Sequence, residues 1–362
     1  MRLGVEAAVV DGQLVLGDVS FDEGDVTAVG LGGEGRGIAV PGLVDLQVNG
    51  FAGVDFLGAD SAGFDKACEA LLEAGVTAFL PTFITSPEED LEVALEAIPS
   101  RTRGAHILGA HLEGPFISAL RLGTHPPRFR RDPDRALLER MLGAGSVRLV
   151  TLAPELPGAL ELVDLLHARG IAVSLGHSDA TAAEANAAFD RGVRTVTHVF
   201  NAMRPLTHRD PGIVGAALVR SDVVLQAIVD GVHLDSDTVR LLWRVAAGRL
   251  ALVTDAVAGA GLGDGTYNLG GVEIGVRDGV VRRSDGVLSG SSLTMIEAVR
   301  NLVALGVPLE LAVDAASAVP ARVLGLEGVG RLAPGNRADI VVLNDALEID
   351  RVVVGGETLV AV

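Results

Sequence analysis

Residues 171–203 read IAVSLGHSDATAAEANAAFDRGVRTVTHVFNAM and hold one full unit of the fold. Residues 171–178 form a nearly unbroken apolar run, as expected of a strand buried on both faces. Thr181 with Glu184 three positions later makes a capping box, so a helix starts there. Gly192 is placed to close that helix, and residues 195–203 return to a β rhythm. Strand, helix and strand in this order make a βαβ unit. Its first strand ends Gly176-His177-Ser178 and its second carries Thr197-His198.

The same rhythm extends in both directions. β-type runs occupy residues 44–50, 77–85, 106–116 and 147–155 before the unit, and 223–233 and 249–256 after it, eight in all. Helical patterns lie between most of them. Phe64, Cys68, Leu71 and Leu72 share a face ahead of Gly75. Ser86-Pro87-Glu88-Glu89 reads as an N-cap, a proline at the first helical position and a capping-box acid. Asp132-Pro133 starts another helix, and Asp235 or Ser236 caps one that carries Val239, Leu242, Trp243 and Ala246. This pattern predicts an α/β fold, a (β/α)8 TIM-type barrel. A doubly wound open sheet is the alternative. The strand count, and the absence of Gly-x-Gly-x-x-Gly after the first strand, favour the barrel. Two further helices are expected at 293–305 and 309–324. Both chain ends are β-rich, with Asp11-Gly12 as a hairpin turn. Residues 1–41 and 331–362 are expected to pair into a small β-sandwich domain beside a barrel of residues 42–330.

Composition narrows the function. Charged residues are only 21% and hydrophobic ones 49%, so the chain is expected to fold around a large core rather than stay disordered. A net charge of −18 argues against nucleic acid or an anionic membrane as partner. No apolar run approaches the roughly 18 residues of a membrane span, and the N-terminus has no signal-peptide core, so a cytoplasmic protein is expected. Cys68 is the single cysteine, which excludes an intrachain disulfide and a Cys-rich metal site. Lys66 is the single lysine and lies in a helix-like stretch, which argues against a P-loop, a Schiff base or a lysine-bridged pair of metals.

In a barrel of this kind catalytic groups sit at the C-terminal strand ends. A buried strand end has no packing reason to carry charge. Here the third strand ends His111-Leu112-Glu113, the fifth at His177, the sixth carries His198, the seventh ends Asp230-Gly231-Val232-His233, and the eighth ends Thr254-Asp255. Closing the barrel brings Glu113, His177, His198 and Asp255 to one mouth. A carboxylate with two imidazoles is a ligand set for a catalytic divalent metal that keeps an open position. Asp255 is then the general base. His111 shares a face with Glu113 and is read as orienting its neighbours. His106, His167 and His208 are read as structural or surface residues.

Several stretches together resemble the N-acetylglucosamine-6-phosphate deacetylases, a branch of the amidohydrolase superfamily. They are His-Leu-Glu-Gly-Pro at 111–115, Gly-His-Ser at 176–178, Thr-His-Val-Phe-Asn-Ala-Met at 197–203 and Val-Asp-Gly-Val-His at 229–233. Leu-Val-Thr-Asp-Ala at 252–256, Leu-Ser-Gly-Ser-Ser-Leu-Thr-Met at 288–295 and Leu-Ala-Pro-Gly-Asn-Arg-Ala-Asp-Ile at 332–340 complete the series. The resemblance implies hydrolysis of the acetamide of N-acetylglucosamine 6-phosphate, in amino-sugar catabolism and cell-wall recycling. It implies one divalent metal per subunit on Glu113, His177 and His198. Asp255 would activate the metal-bound water and then protonate the leaving amine. Thr124 and His125 would lie at the substrate, with His125 against the acetyl carbonyl. Asn201 and the Ala202 backbone would contact the sugar phosphate region, and Arg209 and His233 would bind the phosphate, across the interface of a homodimer. Leu288, Ser289 and Gly290 would line the substrate pocket.

The first strand departs from the His-x-His of many superfamily members and carries Gln47-Val48-Asn49. Amides are poorer ligands than imidazoles, so a single tightly bound metal is expected. Zinc fits the ligand set, and iron, manganese and cobalt also bind such sets. Two rival readings remain: a different N-acyl substrate, such as N-acetylgalactosamine 6-phosphate, and a non-catalytic barrel that only binds metal or sugar phosphate. Residues 117–131, rich in Arg and Pro, are expected to form a lid.

Overall fold

The computed structural model describes residues 1–361. All eight expected strands form and pair in parallel: Leu43–Val48, Val76–Ile84, Ala110–Glu113, Val147–Leu152, Ala172–Leu175, Thr195–Val196, Val224–Ala227 and Leu250–Leu252. The ring closes through a parallel bridge between Val48 and Ala256, with the Asn49 N–H donating to the Ala256 carbonyl at 2.8 Å. Each strand is followed by a helix, the first being Ser61–Glu73 and the last Met295–Ala304. Most strands are shorter than the apolar runs, and His177, His198 and Asp255 lie past the last paired residues, where the chain turns into the loops at the mouth. That departure is what exposes their polar ends to a common space. No helix among the described residues is long and apolar enough to cross a membrane.

The quoted unit folds as its residues dictate. Thr181 accepts from the Glu184 N–H at 3.3 Å while Glu184 accepts from the Thr181 N–H at 2.8 Å, and the helix runs Ala182–Asp190. Thr181→Ala removes one side of this reciprocal cap. It is expected to cost about 1 kcal/mol, read as a lower urea midpoint at unchanged slope. Two other caps differ from expectation. Ser86 donates its hydroxyl to the Ile84 carbonyl, so the helix Glu88–Glu96 starts behind Pro87 with no side-chain cap. The helix Arg135–Ala144 is capped by Asp134, not Asp132. The helix expected over 309–324 is two, Leu309–Ala315 and Ala318–Val323. Pro320 brings no N–H to the ladder, and Ser317 turns out of helical geometry at φ −139° and ψ −81°.

Both chain ends build one six-stranded sheet. Ile38–Pro41 pairs with Ala7–Val10 on one side and Ile340–Leu343 on the other. A hairpin, Asp18–Asp22 with Asp25–Leu31, contributes Val19, Phe21 and Val26 to an apolar cluster shared with Ala39, Ile340 and Val342 of the sheet. Asp11 and Gly12 form the two-residue turn between Ala7–Val10 and Gln13–Leu16, both with positive φ, 47° and 71°. A three-stranded antiparallel sheet, Gly265–Leu269, Val272–Arg277 and Val280–Arg282, lies between the eighth strand and its helix. It packs Leu269, Ile274 and Val276 against Ile84 and Val257 at the barrel mouth.

Candidate active site

A cavity of about 360 Å³ opens at the C-terminal strand ends. Glu113, His177, His198 and Asp255 all border it, and all are buried. Three of them sit in left-handed backbone conformations that bulky residues rarely adopt: His177 at φ 46°, His198 at 28° and Asp255 at 50°. Such strain persists where surrounding structure enforces it, typically at functional sites. At Gly290 (φ 69°) a Cβ would stand 2.7 Å from the Asp255 carbonyl oxygen, so glycine permits the close pass of that loop over Asp255.

The geometry around Glu113 is tight. Its Oε1 lies 2.9 Å from His198 Nε2 and 3.2 Å from His177 Nε2, and the two nitrogens are 3.1 Å apart. Ligands at about 2.1 Å from a tetrahedral zinc stand roughly 3.4 Å from one another. His177 Nδ1 donates to the Arg121 carbonyl at 2.9 Å, which leaves Nε2 as its lone-pair atom. These three atoms therefore fit a divalent cation. Glu113, His125 and His177 form a second, overlapping trio, with ligand atoms within 4.8 Å of one another. His125 is the poorer ligand. Its Nδ1 accepts from the Thr85 N–H at 3.3 Å, which puts its proton on Nε2. Burial and the neighbouring His177 push its ring down to about 4, so it is a neutral N–H donor facing Glu113, with Nε2 3.6 Å from Oε2.

Burial alone would raise the Glu113 carboxyl, but the facing imidazoles of His125, His177 and His198 outweigh it and hold Glu113 well below the usual range. Asp255 goes the other way. Burial, then the Glu113 charge, lifts it to about 6. Gln47 Nε2 donates to both carboxylates, at 2.9 Å to Glu113 and 3.0 Å to Asp255, and Asn49 Nδ2 donates to Asp255 at 2.7 Å. Beneath them Asp45, pushed by burial up to about 7, accepts from the Thr254 hydroxyl at 2.6 Å and from the Gln47 N–H at 3.1 Å. His111 lies within the barrel, between the Leu46 carbonyl and the Thr151 hydroxyl.

Other expected residues divide clearly. Thr124, His125, Asn201, Ala202, His233, Leu288 and Gly290 border the cavity. Ser289 does not; it is buried with its hydroxyl donated to the Val287 carbonyl. Arg209 is exposed on the 207–210 turn and does not border the cavity of its own chain. Sequence reasoning missed the positioning work of Gln47 and Asn49, treating them only as lost ligands, and it missed Arg121. Arg121 borders the cavity and pairs with Asp179 at 2.6 Å. Its one sequence signal is membership of the Arg-rich 117–131 stretch.

Residues 38–359 match the model of the Amidohydrolase family. The chain belongs to that family. Within it, this amidohydrolase falls among the N-acetylglucosamine-6-phosphate deacetylases, as the resemblance implied. It is 42% identical to the human N-acetylglucosamine-6-phosphate deacetylase over 344 residues, covering 89% of this chain and 83% of that one. It is 39% identical to N-acetylgalactosamine-6-phosphate deacetylase of Escherichia coli O157:H7, over 88% of this chain and 86% of the other. An Asp-to-Ala mutant of the Mycobacterium smegmatis N-acetyl-D-glucosamine-6-phosphate deacetylase, solved with N-acetyl-D-glucosamine 6-phosphate, superposes with a TM-score of 0.94 at 37% identity. That match covers 100% of this amidohydrolase and 99% of the mutant chain.

Proposed function

We propose that this chain hydrolyses the acetamide of N-acetylglucosamine 6-phosphate to glucosamine 6-phosphate and acetate. One observation carries the reading: a carboxylate held ready as a base, Asp255, shares the amide donor Gln47 with Glu113, the vertex of a metal-ligand triangle. Pure binding has no use for a base at that point, which weighs against a non-catalytic barrel. Glu113, His177 and His198 would hold the cation, with zinc the first expectation and iron, manganese or cobalt also suited to the set. Bound there, a divalent ion acidifies water and polarises the amide carbonyl.

The chain's own groups do the rest. Asp255 takes a proton from the attacking water and returns it to the sugar nitrogen, so the amine leaves neutral. His125, neutral and carrying its proton on Nε2, donates to the developing oxyanion. Gln47 and Asn49 fix the base so that it need not reorganise. Asn49 Oδ1 and Thr124 Oγ1, on two residues that border the cavity, are buried without a protein partner among the described residues. They suit polar groups of a bound substrate. Asn201, Ala202 and His233 border the part of the cavity assigned to the sugar phosphate, and Leu288 and Gly290 its wall. Arg209, exposed and outside the lining of its own cavity, is assigned to the phosphate of a partner subunit in a homodimer. This assignment, the cytoplasmic location and the division into a 1–41 plus 331–362 β domain and a 42–330 barrel complete the reading.

A second substrate, N-acetylgalactosamine 6-phosphate, is favoured by the 39% identity to the Escherichia coli O157:H7 relative. Acetate release by the purified, zinc-loaded protein separates the two. Strong preference for N-acetylglucosamine 6-phosphate over its C4 epimer, and over unphosphorylated N-acetylglucosamine, is the expected result. Preference for the epimer would install the second reading, and equal rates with and without phosphate would reject the phosphate site.

A further inference from the structure

We propose that Asp230 makes His233 a cationic phosphate-binding group, so that the pair, rather than the histidine alone, recognises the phosphorylated substrate. The inference rests on the assignment of His233 to the phosphate. The two residues are close and shielded: His233 Nδ1 lies 2.7 Å from Asp230 Oδ2, with side-chain exposures of 7% and 12%. Asp230 is itself locked, because its Oδ1 accepts from the N–H groups of Val232 and His233, both at 2.8 Å. Burial pushes its carboxyl up, but the His233 ring and these backbone donors outweigh that and hold it below the ordinary value, so it stays anionic.

The consequence follows from the ring's two nitrogens. Nδ1 keeps its proton for Asp230. Nε2 can then donate only when the ring is an imidazolium. A phosphate dianion offers only acceptors, so it selects that charged form, and the Asp230 carboxylate behind the ring stabilises it. Within its own subunit the cavity offers little other positive charge, so His233 would share the phosphate only with the Arg209 assigned to it from a partner subunit. Net charge is −18, and the only arginine bordering the cavity among the described residues, Arg121, is already paired with Asp179 at 2.6 Å.

Asp230→Asn tests the charge while keeping the shape. The two backbone donors claim Oδ1, so the amide nitrogen must face His233 Nδ1. The ring then switches to the neutral form protonated on Nε2. The expected result is a KM for N-acetylglucosamine 6-phosphate raised roughly tenfold, the difference between a charge-assisted and a neutral hydrogen bond to the phosphate, with kcat retained and kcat/KM for unphosphorylated N-acetylglucosamine unchanged. Nitrogen-15 spectra of the imidazole should show the tautomer switch. Asp230→Glu, which restores a carboxylate, should recover part of the lost affinity and guards against a variant that merely folds poorly. His233→Ala is run in parallel. If it leaves KM for the phosphorylated sugar unchanged, the phosphate assignment has failed and the proposal falls with it. If it raises KM while Asp230→Asn does not, or if Asp230→Asn lowers kcat for both sugars alike, the assignment of His233 stands and the role of Asp230 is overturned.

Discussion

Asp255→Asn should lower kcat by about a thousandfold, the middle of the range for loss of a positioned general base, and should leave the protein folded with its metal content intact. The substitution is nearly isosteric. Asp255 Oδ1 accepts from Gln47 at 3.0 Å and from Asn49 at 2.7 Å, and an asparagine carbonyl accepts the same two bonds. What disappears is the ability to take a proton. The pH profile should change with it. Burial and the nearby Glu113 charge lift the Asp255 carboxyl to about 6. A base works only when deprotonated, so kcat/KM of the wild type falls as pH drops through that value. A bound cation favours the carboxylate, which moves this acid limb to pH 6 or below. The limb should be missing from the residual activity of the variant. Acetate release measured across pH, with metal content by mass spectrometry, checks both. A kcat within tenfold of wild type would remove Asp255 from the role of base.

The parts of this site that were legible in the sequence share one property. Glu113, His177, His198 and Asp255 are polar residues at the ends of apolar runs, and parallel strands covered by helices leave no solvent-facing reason for them. Closing the barrel then requires them to meet. Loop conformation has no comparable constraint. Ser289 stands next to Gly290 in sequence, yet its hydroxyl turns to the Val287 carbonyl while Gly290 borders the cavity. Arg209 sits in a turn whose exposure no periodicity reports. The three-stranded sheet at Gly265–Leu269, Val272–Arg277 and Val280–Arg282 is built from short strands joined through Gly270-Gly271 and Asp278-Gly279, and its apolar side is recognisable only against Ile84 and Val257 of the mouth. Asp45 was silent for a different reason. It is a carboxylate within a strand, and its importance comes from Thr254, more than two hundred residues away in sequence.

Those long-range contacts also decide which of two overlapping trios holds the metal. Glu113 belongs to both. Glu113→Gln should therefore weaken zinc binding by at least about a hundredfold, since loss of a direct ligand exceeds the 10–100-fold typical of an outer partner. Activity at sub-stoichiometric zinc should vanish and return in part at high zinc. The amide fails for two reasons: it lacks the charge, and its nitrogen has no lone pair to offer where Oε1 now meets His198 at 2.9 Å and His177 at 3.2 Å. The histidines then separate the trios. His198→Ala should lose metal as Glu113→Gln does. His125→Ala should keep it and lose kcat, because the Thr85 N–H occupies its Nδ1 and leaves Nε2 protonated, a donor rather than a ligand. Equilibrium dialysis against a chelator, followed by zinc titration of acetate release, measures all three variants on one scale. Metal lost from the His125 variant and retained by the His198 variant would exchange their roles and move the cation toward the Thr85 side of the cavity.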